Sequence, residues 1–480
     1  MSIRIKFRTN AEKYLQDYME VVREFAPHLT EEEDGEELFL SLNEDNEELS
    51  IIIKCNLLPE KYYEINQKID ISRNNLAKIA KIKRISKVAL YDVLVKLTNV
   101  TLPYGSLTGI RPTKLFHDLL SQGLDAERIF KDDLRVNESK TSLVKQIVEN
   151  QSDVYLKKDG VADVFVNIPI CPTRCVYCSF ISAEISKVKK SVPLYCDLLR
   201  NEIVDCKRLV AETGYKIRSV YVGGGTPTCI SDEDFKSILS LLDFGQSEFT
   251  VEAGRPDTIN ENKLKIMDET GVTRISINPQ SFNEETLAAI GRRHTVDDIY
   301  RAYETARKYA FDINMDLIAM LPGENFEMFR RSVDSAIALQ PENITVHTLA
   351  LKKGSVLKVG GYDNASDTLA SYMVDYARNA VGRAGYSPYY MYRQKYVSGN
   401  LENVGYAKPG KYCVYNVDIM EETTTIVANG AGGISKKLDI AKNALERCAN
   451  PKGLDVYLAR GEEVAEKKRK FFAENMSENL

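Results

Sequence analysis

Between residues 161 and 350 six short β-branched runs recur, VADVFVNI, IRSVYV, EFTVEA, TRISIN, DINMDLI and NITVHTL, each separated from the next by enough chain to hold a helix. LYCDLLRNEIVDCKRLVAETG, FKSILSLLD, NKLKIMDETG, DIYRAYETARKYA and FRRSVDSAIAL supply most of those helices. Strands that alternate with helices pair in parallel through right-handed crossovers. Six units are two short of a closed eightfold barrel. The predicted fold class is therefore α/β, an open, curved partial (β/α)6 barrel over residues 161–353 with functional residues beyond the C-terminal strand ends. The rhythm by itself also admits a doubly wound sheet.

The flanks have other patterns. Residues 1–160 read as an N-terminal accessory α+β domain: a strand in SIRIKFR, a helix over 12–26, a hairpin in ELFLSLNEDNEELSIIIKC and a helix over 142–153. The basic run Arg73–Lys87 is helix-compatible and reads as a solvated helix, since no nucleic-acid recognition motif accompanies it. Residues 354–480 read as a C-terminal substrate-covering or accessory region, with a helix over 366–383, a tyrosine-rich stretch and the charged packing helix EEVAEKKRKFFAEN. Lys and Arg total 64 against 69 Asp and Glu, so no positive surplus speaks for nucleic acid. The first residues carry charges where a secretory signal needs an apolar core, and no run approaches the roughly 18 apolar residues of a membrane span. A cytoplasmic protein without a membrane span is predicted.

Nine cysteines, an odd number, argue against a disulfide framework. Cys55, Cys196, Cys206, Cys229, Cys413 and Cys448 are scattered and read as buried small hydrophobes. Cys171, Cys175 and Cys178 stand together in CPTRCVYCSF, directly after the first barrel strand and so on its catalytic face. A structural zinc site needs four ligands, and the loop offers no neighbouring histidine; only a distant side chain such as His294 could complete it. Three thiolates on a cubane cluster leave one iron open, which suits chemistry better than simple electron relay.

With Tyr177 before the third cysteine, this C-x3-C-x2-C loop resembles the signature of the radical S-adenosylmethionine (SAM) superfamily. The resemblance implies a [4Fe–4S] cluster on Cys171, Cys175 and Cys178, SAM on the open iron, and reductive cleavage of SAM to a 5′-deoxyadenosyl radical. It spans roughly residues 161–350. YVGGGTPT follows the second strand; its glycines let the backbone approach a ligand, and no Lys-Ser or Lys-Thr follows as a phosphate loop requires. In the superfamily this turn, here Gly224, Gly225 and Thr226, meets the SAM amino group. The resemblance further implies SAM contacts at Tyr177, at Glu252 on the third strand tip, at Gln280 in the Gln280-Ser281-Phe282 motif, at Arg292 for the SAM carboxylate, and at Asp316 for the ribose. Asp316 interrupts an apolar strand, which is costly unless its charge is paired or faces a ligand. His294 reads as a packing or hydrogen-bonding residue.

NIPICPTRCVYCSF, GGGTPT, INPQSFNEETLAAIGRRH and DLIAMLPG together resemble the oxygen-independent coproporphyrinogen III oxidase-like branch, and YGSLTGIRPTKLFHDLL with NVGYAKPGKYCVYN resembles its HemZ-type group over nearly the whole chain. The implied activity converts two propionates of coproporphyrinogen III to vinyl groups with loss of CO2, giving protoporphyrinogen IX. Its implied partners are the tetrapyrrole, an external electron donor for the cluster and an electron acceptor. Because this substrate carries four carboxylates, Arg111, Lys114, Arg393 and Lys395 are its candidate contacts, and Tyr389, Tyr390 and Tyr392 either pack on a flat ring or form a core boundary. Two departures stand out: Phe180 where the familiar oxidases carry a fourth cysteine, and Asn167 where they carry histidine. Both departures resemble heme-chaperone relatives or divergent HemZ-like proteins, so a heme-binding chaperone and a radical SAM enzyme with another substrate are the alternative readings.

Overall fold

A computed structural model describes the chain except residues 1, 27, 46–47, 69–74, 181, 353, 363–366, 396, 443 and 475–480. The chain divides into two compact units. One comprises Met1–Val148 with Arg393–Lys395 and Gly399–Leu401; the other comprises Glu149–Tyr392, Tyr396–Ser398 and Glu402–Leu480.

In the first unit, β1 (Ile3–Thr9), β2 (Leu29–Glu31), β3 (Glu36–Asp45), β4 (Glu48–Lys54) and β5 (Tyr62–Lys68) form a sheet of order β2-β1-β3-β4-β5. β3 and β4 are the predicted antiparallel hairpin, with Leu42 opposite Ile51. Their period-two alternation sends Leu38, Leu40, Ile51 and Ile53 into a core shared with Tyr18 and Val21 of the helix Leu15–Glu24. The basic run forms a helix, described over Asn75–Thr98; its predicted start at Arg73 lies outside the described residues.

The second unit is built on β6 (Val161–Ile168), β7 (Lys216–Gly224), β8 (Glu248–Gly254), β9 (Arg274–Ile277), β10 (Asp312–Ala319) and β11 (Asn343–Thr348), the six predicted strands, all parallel and adjacent in that order. Five strands that the sequence rhythm does not announce extend the same sheet: β12 (Ser387–Arg393), β13 (Glu402–Ala407), β14 (Thr425–Asn429), β15 (Ile434–Asp439) and β16 (Ala444–Ala449). The full order is β12-β13-β11-β10-β9-β8-β7-β6-β14-β15-β16, an open sheet. β14 pairs parallel with β6, making a seventh parallel strand, and β13 lies antiparallel on β11. The crossover helices start and stop on local signals. Thr295 and Asp298 make a capping box ahead of Val296–Ala306, and Gly214 ends Val192–Thr213 in the left-handed conformation. Among the described residues no helix is long and apolar enough to cross a membrane.

Candidate functional site

β6 delivers the chain directly into the cysteine loop, whose ends are held by a short parallel pairing of Ile170–Cys171 with Ala183–Glu184. The loop is then pinned on two sides. The Thr173 hydroxyl donates to the Gly291 carbonyl at 3.1 Å and the Val176 amide to Ile290 at 3.1 Å, while Val176 in turn accepts from the Leu357 amide at 3.1 Å. Cys171, Cys175 and Cys178 are free and half-buried. Burial raises the thiol pKa of Cys171 and Cys178, and Cys175 raises both further, so the three sulfurs share one electrostatic neighbourhood. Among the described residues no three His, Cys, Asp or Glu side chains are gathered in coordinating arrangement. In kind, the donor set still fits a three-thiolate cluster: three thiols on one short anchored loop with no carboxylate or histidine among them.

The glycine-rich turn after β7 is stitched to this loop. The Gly225 amide donates to Ile168 at 2.9 Å and the Thr226 amide to Ile170 at 2.8 Å. A Cβ on Gly225 would stand 2.6 Å from the Ile170 oxygen; Gly224, at φ +105°, would place one against the Asn167 side chain. Only glycine permits that approach. Thr226 is buried, and its hydroxyl hydrogen-bonds Cys171, offsetting part of the burial shift there. Glu252 comes up from β8 beside the turn, its Oε1 accepting from the Tyr221 hydroxyl at 2.5 Å and its Oε2 from the Gly224 amide at 3.3 Å. Burial raises its pKa, and nearby Asp316 adds to the effect.

Gln280 follows β9 with φ +67°, uncommon for a side-chain-bearing residue. It is held there by an isolated bridge to Leu317, and its buried Oε1 has no hydrogen-bond partner among the described residues. Such strain combined with an unmet acceptor is typical of a ligand-facing position. Arg292 is buried, donating to the Asn278 carbonyl at 2.5 Å and to the Tyr177 hydroxyl at 3.3 Å. Burial opposes its charge, but Tyr177 and Cys175 outweigh that and hold the guanidinium firmly protonated. Its Nε has no hydrogen-bond partner among the described residues. Asp316 projects from β10, accepts from the Asn314 side-chain amide at 2.8 Å and faces His347 Nε2 at 3.7 Å. Burial alone would raise its pKa; hydrogen bonding and attraction to His347, with help from Asn314 and Thr345, reverse the sign and keep it charged.

The other candidates have surroundings of their own. Arg393 is buried against Glu24 at 3.3 Å, the Leu107 carbonyl and the Tyr104 ring. Lys395 pairs with Glu20 at 2.5 Å and Lys114 with Asp118 at 3.1 Å. Arg111 precedes the helix Pro112–Ser121 in the first unit. Tyr389 and Tyr390 belong to a buried cluster with Tyr415, the core-boundary alternative, whereas Tyr392 reaches His347 Nδ1 at 3.1 Å. His294 is fully buried beside Asp257 at 3.6 Å, a packing residue as read. Sequence reasoning did not single out Tyr221, Asn278, His347 or Glu324. The one available signal was strand position, since Tyr221 and His347 are aromatic or polar interruptions in β-branched runs.

Residues 167–336 match the model of the Radical SAM superfamily. The chain is 39% identical over 411 residues to the oxygen-independent coproporphyrinogen-III oxidase-like protein HemZ of Bacillus subtilis, covering 81% of each. It is 33% identical over 200 residues to the heme chaperone HemW of the same organism, covering 40% of this chain and 51% of that one. In fold it is similar to the solved structure of coproporphyrinogen III oxidase HemN from Escherichia coli, with a TM-score of 0.51 at 21% identity over 66% of this chain and 73% of that one. A domain of the matched family implies use of a [4Fe–4S] cluster and SAM.

Proposed function

We propose, starting from the fact that the chain belongs to the radical SAM superfamily and to its HemZ-like branch, that it oxidatively decarboxylates two propionates of coproporphyrinogen III without oxygen, giving protoporphyrinogen IX. The observation that carries this reading is the meeting of Arg292 with Tyr177 and Cys175, which joins the tip of β9 to the cysteine loop. Cys171, Cys175 and Cys178 would hold the cluster, and Tyr177, Gly224, Gly225, Thr226, Glu252, Gln280, Arg292 and Asp316 would hold SAM. Bound together, those cofactors supply the means to take a hydrogen atom from the β-carbon of a propionate.

The chain's own residues then have positioning tasks. Arg292 presents a permanent cation whose open Nε suits a carboxylate. Gln280 offers a preformed acceptor, already desolvated and therefore strengthened by any donor that reaches it. Asp316, kept ionised by His347, accepts hydroxyl donors, and Glu252 stands beside it with Tyr221 fixing its orientation. No acid or base is required for hydrogen-atom transfer, so the polypeptide contributes register and the exclusion of competing donors. Arg111 and Lys114 stay as candidates for substrate carboxylates.

A second reading, a heme-binding chaperone, is favoured by Phe180, which stands 68% exposed where a fourth cysteine occurs in the familiar oxidases. Anaerobic reconstitution with iron and sulfide, then incubation with SAM, reductant and coproporphyrinogen III, separates the two. Divinyl product and CO2 in step with 5′-deoxyadenosine support the oxidase; stable heme binding without turnover supports the chaperone.

A further inference from the structure

The first unit carries no residue assigned to the cluster or to SAM, yet it holds a cavity of about 570 Å³, inside the range of about 300–1,000 Å³ that small-ligand clefts occupy. Val95, Leu102, Val136, Tyr63 and Tyr91 give it an apolar and aromatic lining. The polar groups among them are mostly donors. Tyr91 is only 4% exposed; its oxygen accepts from the Leu102 amide at 3.1 Å, and its own proton has no acceptor among the described residues. A buried hydroxyl with an unused donor is costly unless a ligand takes it. Asn137 gives its side-chain oxygen to the Ser139 amide at 2.8 Å, which leaves its amino group unused. Lys96 stands 4.5 Å over the Tyr63 ring and has no carboxylate partner among the described residues.

The charges favour the same kind of occupant. Three cations, Lys96, Lys131 and Arg135, line the cavity with one carboxylate, Asp92. Arg135 covers both Asp92 oxygens, at 3.2 and 3.1 Å, and does so from φ +62°, a backbone conformation that favours glycine. The Tyr63 hydroxyl donates to the same carboxylate at 3.4 Å. Asp92 is therefore already neutralised. Lys131 pairs at 3.1 Å with Glu138, whose side chain is 82% exposed, so that pair is screened and weak. The lining keeps a surplus of positive charge and of hydrogen-bond donors in a chain whose net charge is −5.

We propose that this cavity binds a small organic anion, a carboxylate or phosphate borne on a flat apolar body. Lys96 meets the charge, the Tyr91 hydroxyl and the Asn137 amino group donate to the anionic oxygens, and the tyrosine rings with Leu102 cover the body. Aromatic carboxylates and nucleoside monophosphates share that chemistry. The binding needs neither cluster nor SAM, so its failure would leave the radical reading untouched, and the reverse holds too.

Naphthoate and adenosine monophosphate are the probes, titrated into the full chain by calorimetry at low ionic strength, where an open cationic site is least screened. At least one is expected to bind with single-site stoichiometry; naphthoate alone identifies a site for aromatic carboxylates, the monophosphate alone a site for nucleotides. Lys96→Ala, at an exposed position, should weaken that binding about tenfold. Tyr91→Phe, which keeps the ring and removes only the hydroxyl, should weaken it about fivefold. The neutral counterparts naphthamide and adenosine should bind at least about tenfold more weakly than the anions. The bound probe should also raise the melting temperature of the unaltered chain, and that of Lys96→Ala much less. Failure of both probes to bind at millimolar concentration overturns the proposal, as does binding that the two substitutions leave unchanged or that the neutral counterparts match.

Discussion

The two ends of the parallel strands treat buried charge in opposite ways. At their N-terminal ends the charged groups meet one another, although Arg274 Nε lacks a hydrogen-bond partner among the described residues. Arg274 opens β9 and reaches Asp312 at 3.3 Å, Glu248 at 3.7 Å and the Asn343 side chain. Glu248 also accepts the Val414 and Tyr415 amides, and Asp163 accepts from Ser219 and Thr424. Arg218 meets Asp418 at 2.8 Å. At the C-terminal ends, Gln280 Oε1, Arg292 Nε and Glu324 Oε2 are buried without hydrogen-bond partners among the described residues. A buried polar group left unmet costs about 1–3 kcal/mol. One end spends its polar groups on holding the strands in register, and the other keeps them open for a ligand, the division expected of barrel-type folds.

Substitutions at the two ends should therefore fail differently. Cys178→Ala should cut SAM cleavage by at least about a thousandfold, equivalent to about 4 kcal/mol in barrier, through loss of the cluster. Its unfolding free energy from urea titration, compared in cluster-free chains, should change by less than about 0.5 kcal/mol. Arg274→Ala should do the reverse, costing about 3–5 kcal/mol in denaturant stability by stranding Glu248 and Asp312, with SAM affinity intact in the protein that stays folded. If Arg274→Ala instead abolishes SAM binding at unchanged stability, the division between the ends is wrong. Arg292→Gln should weaken SAM binding about 10- to 100-fold by calorimetry, the worth of a charge-assisted hydrogen bond.

The smallest effect tests the cost of an unmet carboxyl. Glu324 accepts from Ser281 at 2.5 Å and Asn283 at 3.1 Å, but burial raises its pKa to about 7. The folded state thus keeps a proton that the unfolded chain has released, so this group's contribution to stability falls as pH rises from about 4.5 to about 7 and is flat above. Glu324→Gln should remove that slope and stabilise the protein by about 1–3 kcal/mol at pH 8, with no gain near pH 4.5, in thermal melts across that range.

How far the sequence revealed this depends on whether the signal is local. The six parallel strands and their helices announce themselves through runs of Val and Ile, helix caps and spacing, and the cysteine loop through three residues of one kind within eight positions. β14 is different: it pairs with β6, more than 250 residues earlier, and no periodicity in 425–429 names that partner. Arg393 shows the same gap in the other direction. The sequence offers Arg393 as a cation for a carboxylate, but that Glu24 is a carboxylate it meets is visible only in the folded chain. At the site, residue identity pointed to Gln280, Arg292 and Asp316, while the positive φ of Gln280 and the His347 that keeps Asp316 charged are properties of assembled backbone and packing.

The central claim is that the cysteine loop holds a cluster with one iron open to SAM. Electron paramagnetic resonance of the reconstituted, dithionite-reduced protein tests it most directly. A cluster signal that shifts when SAM is added, and is lost in Cys171→Ala, is the predicted result. A fully loaded cluster whose spectrum ignores SAM would contradict the account.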